Sequence, residues 1–371
     1  MPIAGTNLPL DSREGYDKIT QVEKVTTPYF SDGTTTLTGA TLTTSSLTAT
    51  NQKYFFGISN TSTLTTEEFN IAFGSTNGYG ANVEANTKSE TAAIYGQYAS
   101  LLLGPTEVTG GFFISSPASD SVVTSGKDEE IYVLSSRRTN TKDRINKGTW
   151  SVILSGSSSE GVDASLVLCD DSVNDNPTST AAGPRYNIVS GSAGTLFNST
   201  VSSSAAKNYG FFYPDAGLLV FSAAELSSSI PGVAEEVGNA VGFNTSSGLM
   251  NGLGYAKSTN LDSNQALRLA NCLQQNNANT ALSFRDEEDQ ISSQYFCRVR
   301  SLDCNFSNNP TFVSGSNNEL RQSTMKDNPN VFITSVQLYN DAGDMVAVGN
   351  LSTPLKKNFS SEATIKVKLT Y

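Results

Sequence analysis

Histidine is absent from all 371 residues. That gap removes the Ser-His-Asp and Cys-His relays, every His-ligated zinc or iron site, and the usual proton shuttle near neutral pH. Tryptophan occurs once, as Trp150, and cysteine four times, at Cys169, Cys272, Cys297 and Cys304, with no Cys-x-x-Cys pair. Scattered thiols of this kind are expected to be buried and reduced. Charge is scarce too: 16% of residues are charged, and a net charge of −11 is mild for this length, so charge-driven disorder is not expected. The acidic sign argues against a nucleic-acid backbone or an anionic bilayer as partner, since both need a basic face. Apolar runs are short, as in Tyr98-Ala99-Ser100-Leu101-Leu102-Leu103, far below the roughly 20 residues of a membrane-spanning helix. The opening Met1-Pro2-Ile3-Ala4-Gly5-Thr6 lacks a basic region followed by an apolar one, so no secretory signal is expected. No Gly-x-Ser-x-Gly, P-loop or dinucleotide fingerprint is present. The sequence assigns no catalytic, cofactor-binding or metal-ligating residue.

What is abundant is Ser, Thr and Asn, about a third of the chain, together with 18 Phe and 14 Tyr that can build a core. The pattern predicts a mainly β protein of antiparallel, sandwich-type domains with one or two short helices and an extended N-terminal arm. Three parts are expected. Residues 1–45 carry few large side chains, and the Thr-rich run from Ser31 to Thr50 cannot by itself bury enough apolar area to offset the ordering of its backbone. This stretch reads as an assembly arm. Residues 46–226 read as a β-rich domain with one helix, and residues 227–371 as a Gly/Ser/Asn-rich connection followed by a second β-rich domain.

Within the middle part, Phe69, Ile71 and Phe73 alternate as in a half-buried strand. Ala92, Tyr95, Ala99 and Leu102 fall at helical spacing between about Thr91 and Leu103, with Ile94, Tyr98 and Leu101 widening the stripe, and Gly104-Pro105 stops the helix. Strands are expected at Glu130–Leu134, Thr149–Leu154, Ala164–Leu168 and Tyr186–Val189, and a hairpin at 209–221 around Pro214-Asp215-Ala216. Further on, Ala266, Leu269, Ala270 and Leu273 mark one side of a short helix near 264–275, capped by Asp262 or Ser263. Tyr295–Leu302 reads as a strand, Val331–Tyr339 is expected to pair with Asp344–Leu351, and Ile365, Val367, Leu369 and Tyr371 alternate with Lys366 and Lys368. The expected core is Phe69, Ile71, Phe73, Tyr95, Leu102, Ile131, Val133, Trp150, Val152, Leu218, Val220, Ile333, Leu338 and Val367.

Three polar clusters invite a functional reading. Asp170-Asp171-Ser172-Val173-Asn174-Asp175-Asn176 has oxygen ligands for a calcium ion but lacks the EF-hand glycine and closing Glu, so an Asp/Asn-rich turn after a strand is preferred. Arg137, Arg138, Lys142, Arg144 and Lys147 form the only dense basic cluster. A solvated loop is preferred there, and a carboxylate-rich protein surface would be its partner before nucleic acid. Arg285-Asp286-Glu287-Glu288-Asp289 could supply paired carboxylates for acid–base work only from a cleft that separates their pKa values, and an exposed loop is preferred.

Several stretches resemble virion structural proteins of large contractile-tailed phages, particularly those infecting marine cyanobacteria and related bacteria. They are Glu90–Tyr98 with Leu101–Thr106, Ile131–Leu134 with its basic loop and Lys147–Trp150, and Asn328–Asp341 leading into Ala347–Lys357. The resemblance implies a non-enzymatic building block of the particle, in the tail or baseplate, whose partners are copies of itself and other virion proteins. It carries over no functional residue. The alternatives are a host-attachment or carbohydrate-binding domain of a tail fibre, or a head or neck protein. A sugar platform needs exposed Trp or Tyr, yet Trp150 begins an apolar strand. A glycan-cleaving enzyme needs a carboxylate pair in a groove, which no spacing here supports.

Overall fold

The computed structural model describes residues 8–11, 13, 15–46, 55–60, 66–78, 90–104, 111–114, 127–157, 163–197, 207–230, 265–276, 278–305, 310–317 and 319–371. In chain order the first strands are β1 (Lys18–Pro28), β2 (Thr36–Thr38), β3 (Leu42–Ser46), β4 (Phe55–Asn60), β5 (Glu67–Ser75), β6 (Glu130–Ser136) and β7 (Arg144–Ile145). They continue as β8 (Ser151–Ser157), β9 (Asp163–Asp170), β10 (Thr178–Thr180), β11 (Gly183–Ser192), β12 (Thr195–Leu196), β13 (Gly210–Tyr213) and β14 (Leu218–Ser222). The last are β15 (Thr280–Ser283), β16 (Arg285–Val299), β17 (Val313–Ser314), β18 (Glu319–Leu320), β19 (Val331–Tyr339), β20 (Met345–Lys357) and β21 (Ala363–Thr370). The described α-helices are α1 (Glu90–Leu102), α2 (Ala223–Ser229) and α3 (Gln265–Gln274). The fold is mainly β with antiparallel sheets. It divides into two compact units, one of residues 25–288 and one formed by the chain up to Lys24 and from Asp289 onward.

The larger unit is organised by one continuous sheet in the order β2-β15-β8-β9-β11-β13-β14-β6-β5-β4-β3, with β10 and β12 attached to β11. Laid flat, eleven strands at about 4.8 Å spacing would hold β2 and β3 nearly 50 Å apart. In the chain, however, only the 3₁₀ turn Gly39–Thr41 separates these two end strands, and four peptide steps reach at most about 14 Å. The sheet must therefore roll until its ends meet. Helix α3 fills the space this creates: it packs against β3, β4 and β5 from one end of the path and β8 and β15 from the other. Every residue of α3 from Gln265 to Leu273 is buried.

Side chains alternate across the sheet as the pleat demands. Tyr132, Leu134, Phe212, Leu219 and Phe221 join the same apolar cluster as α3, while Ile131, Val133, Phe211, Tyr213, Leu218 and Val220 join a second cluster with Tyr95, Ala99 and Leu102 of α1. Trp150 stacks on Phe284 at 5.7 Å and meets Phe212 edge-on at 5.2 Å, and Phe69 stacks on Tyr29 at 4.9 Å. Helix α1 lies so close to β5 that a Cβ on Gly74 would sit 3.0 Å from the Tyr95 backbone. The expected hairpin is β13–β14, with Phe211 opposite Val220.

Several expectations need correction here. Residues 1–45 are not a separate arm: β1, β2 and β3 are paired within the sheets, and Tyr29, Phe30, Leu37 and Leu42 are buried. Few large side chains suffice when each is placed in a core built by other strands. No boundary falls near residue 227, because α3 and β15 complete the larger unit. Strand β5 is buried on both faces rather than one, since α1 covers the second. Helix α3 is covered all round rather than on one side, and on α1 Leu101 faces out, 55% exposed. Helix α2 was not foreseen; Ser222 caps it by accepting from the Glu225 amide at 3.3 Å. The proposed caps Asp262 and Ser263, the stop at Pro105 and residues 231–260 lie outside the described residues.

The smaller unit contains the sheet β1-β16-β21, the hairpin β19–β20 and the short pair β17–β18. Strands β16 and β21 pair without interruption from Ser292 opposite Thr370 to Val299 opposite Ala363. The pairing expected for Val331–Tyr339 is present, with Gln337 opposite Val348 and the chain reversing at Asn340–Asp344. Its interior is polar: the buried Lys357 ammonium donates to the Ser301 carbonyl at 3.1 Å, to Asn305 Oδ1 at 2.8 Å and to the Asp303 carbonyl. Ile333, Leu338 and Val367, expected in the core, are only half-buried, and Tyr371 is exposed. Cys169 and Cys272 are buried as expected, whereas Cys297 is partly and Cys304 fully exposed; all four are free thiols.

Candidate functional site

Two of the three polar clusters meet, and they meet each other. The basic loop after β6 runs alongside the start of β16, where Ile145 pairs with Asp286 and Arg144 with Glu287. Lys142 Nζ lies 2.6 Å from Glu288 Oε2, and the Lys142 amide donates to Asp286 Oδ2 at 2.8 Å. Arg144 reaches Glu287 Oε1 at 3.3 Å and Asp215 Oδ1 at 3.4 Å, while Asn146 Nδ2 donates to Glu287 Oε2 at 2.6 Å. Lys147 turns the other way, donating to the Tyr186 hydroxyl at 2.9 Å over the ring. Arg137 and Arg138 are exposed.

The acidic run is therefore not the exposed loop that four consecutive acids suggest. It is strand, with Asp286 and Glu287 buried. Burial raises the Asp286 carboxyl above its ordinary range despite the Lys142 amide. The neighbouring Glu288 raises the exposed Lys142 ammonium. The carboxylate-rich surface expected as partner of the basic cluster belongs to this same chain.

The Asp/Asn cluster is a turn after β9, as preferred, but its first two acids point inward. Asp170 accepts the Gly148 amide on both oxygens at 2.9 Å. Asp171 accepts the Asn187 amide at 3.0 Å and its Nδ2 at 2.8 Å. Burial raises Asp170 and pushes Asp171 up to about 6, outweighing the hydrogen bonds that favour the ionised form. Asp170 ties the turn after β9 to the connection before β8, and Asp171 ties it to β11. Among the described residues, no group of three acidic or thiol side chains is arranged to hold a metal ion.

Two further buried acids escaped the sequence reading. Glu68 accepts from the Ser31 amide at 3.2 Å, the Ser31 hydroxyl and Asn140 Nδ2, joining three connections. Asp128 accepts from the Ile114 amide at 2.8 Å and from the Ser222 hydroxyl that caps α2, and burial pushes it up to about 6. Its carbonyl accepts the Tyr95 hydroxyl at 2.7 Å. For Glu68 the available signal was its place directly before Phe69 in a strand; Asp128, set among Lys127, Glu129 and Glu130, carried none.

Most of these carboxylate oxygens accept from amide, hydroxyl or cationic donors of the scaffold, bonds that fix loops, while Asp286 Oδ1 is buried without a partner among the described residues. Among the described residues no helix is long and apolar enough to cross a membrane. Compared with family models, curated proteins and solved structures, the chain matches none of them.

Proposed function

We propose that this chain is a non-enzymatic structural component of a phage virion, in the tail or baseplate, where it assembles with copies of itself and with other virion proteins. The observation that carries the non-enzymatic part is the mutual neutralisation of the basic loop and the acidic strand, through Lys142–Glu288 and Arg144–Glu287. Catalytic acids need a cleft and unequal environments; these sit in a ladder between β7 and β16. The virion part rests on the sequence resemblance and on a β-rich scaffold whose connections are pinned by neutral and charge-assisted hydrogen bonds, a construction suited to long-lived packing. For the carbohydrate-binding alternative the single Trp is not available, since Trp150 is fully buried, and the exposed tyrosine candidates among the described residues are Tyr16, Tyr339 and Tyr371. The reading includes no nucleic-acid or membrane contact, and no cofactor.

The test is direct. Gradient-purified particles of the phage that encodes the chain should contain its peptides at a fixed ratio to the major tail protein, and antibodies against it should label the tail or its end. Its absence from purified particles rejects the virion role. Cleavage of glycan or peptidoglycan by the purified protein, lost in Glu287→Gln or Asp170→Asn, rejects the non-enzymatic one.

A further inference from the structure

The smaller unit has almost no apolar interior. Among the described residues, both apolar clusters lie within residues 25–288. Among the described residues of the smaller unit, Pro329 and Ala363 are the only apolar side chains that are buried. Conversely, among the described residues, thirteen of the sixteen large apolar side chains that are exposed belong to it. A domain of this size normally hides most of its apolar surface, and a two-stranded ribbon such as β19–β20 is marginal in water without a face to pack on.

Charge is divided just as unevenly. The chain up to Lys24 and from Asp289 onward holds 11 acidic and 11 basic residues, whereas residues 25–288 hold 24 acidic and 13 basic. The whole net charge of −11 thus resides in the larger unit, and the smaller one is neutral with both signs evenly represented.

We propose that the smaller unit is an assembly surface whose occupant is a second copy of the same chain, docked through the β19–β20 hairpin. An acidic surface would repel its own copy; a neutral, mixed-sign one is complementary to itself. On the hairpin, Phe332, Tyr339, Met345, Val346, Val348 and Leu355 are 40–62% exposed. The register sets Ile333 opposite Leu355 and Phe332 opposite Lys356, so Phe332 and Leu355 lie on opposite faces of the ribbon, and one face supplies only part of the roughly 800 Å² that each partner brings to a stable interface.

The edges of the ribbon favour the same occupant. Strand β19 (Val331–Tyr339) contains no charged residue and no proline, so it lacks the usual guards against edge-to-edge pairing, whereas β20 carries Pro354, Lys356 and Lys357. Strand β19 is the better edge, because Pro354 and the register shift between Ile333 and Ser335 interrupt β20. Pairing of β19 with its counterpart would be isologous and would close after two chains. This inference does not rest on the virion reading.

The experiment uses the full chain, with sedimentation velocity over a concentration series and hydrogen exchange at each concentration. A discrete oligomer should form, with protection of residues 331–339 rising alongside it. Val348→Glu, at a 57% exposed position, should raise the dissociation constant at least about tenfold by placing a charge in a desolvated contact. Trp150 fluorescence monitors the fold of the larger unit in every variant. A chain monomeric at all concentrations, an unbounded range of sizes, or an oligomer that Val348→Glu and Phe332→Glu leave intact overturns the proposal.

Discussion

Asp128 and Asp171 are carboxyls that the fold holds near pKa 6 by burial, about two units above an unfolded aspartate. The folded state therefore binds more protons than the unfolded chain between about pH 4 and 6, and stability falls as pH rises through that window. Burial raises Asp170 and Asp286 in the same direction. The carboxyls that run the other way are Asp11, Asp32 and Glu23: Asp11 and Asp32 are lowered from an ordinary aspartate value that already lies below this window, and Glu23 is lowered by its bond to Lys368. From pH 7.5 to pH 5 each of Asp128 and Asp171 should add about 1 kcal/mol. Thermal melts at the two pH values should show the higher midpoint at pH 5, and Asp171→Asn should remove about half of the difference. A midpoint that falls on mild acidification would show that these carboxyls are better solvated than their surroundings imply.

At the scale of elements, β2, β3 and α3 hold the larger unit together, although they come from stretches poor in large side chains. Strand β2 pairs with β15 and β3 with β4, so they occupy the two ends of the sheet path that must meet. Tyr29 and Phe30, just after β1, pack on Phe69 and Phe284. Deleting residues 1–45 would uncover that aromatic group and open the seam beside α3. Removal of even one such ring from a core costs about 3–5 kcal/mol, a large fraction of the roughly 5–15 kcal/mol that stabilises a domain. The truncated protein should lose its cooperative melt and its near-UV dichroism. A truncated chain that melts like the intact one would mean that the seam contributes little.

Across the whole molecule, apolar burial and charge follow opposite partitions. The larger unit concentrates the core and the net negative charge; the smaller is neutral and keeps its large apolar groups outside. Local stability should follow burial. In dilute solution the amides of β6, β13 and β14, which lie between two covered faces, should exchange slowest, and those of β19 and β20 orders of magnitude faster. Equal protection of the two units in dilute solution would contradict this gradient.

Much of the β framework is legible in the sequence because a pleat imposes a period of two and a helix one of 3.6 wherever the residues are found. The β-rich apolar run Ile131–Leu134, the turn chemistry of Pro214-Asp215-Ala216, and the stripe through Tyr95, Ala99 and Leu102 specify their elements locally, and the structure has them there. Periodicity says which residues share a face but not what covers that face. Hence Ile333 and Leu338, patterned like core, lie half-exposed, while α3, patterned for one apolar side, is enclosed. Charged runs mislead for the same reason. Asp286 and Glu287 look solvated because their neighbours in sequence are charged, yet Lys142, Arg144 and Asn146 reach them from more than 140 residues away. Composition and spacing determined the fold class and the absence of histidine chemistry. Only the tertiary structure decided which strands close the sheet and which acids are buried, because long-range pairing is set by the shape of the assembled core and leaves no local periodic trace.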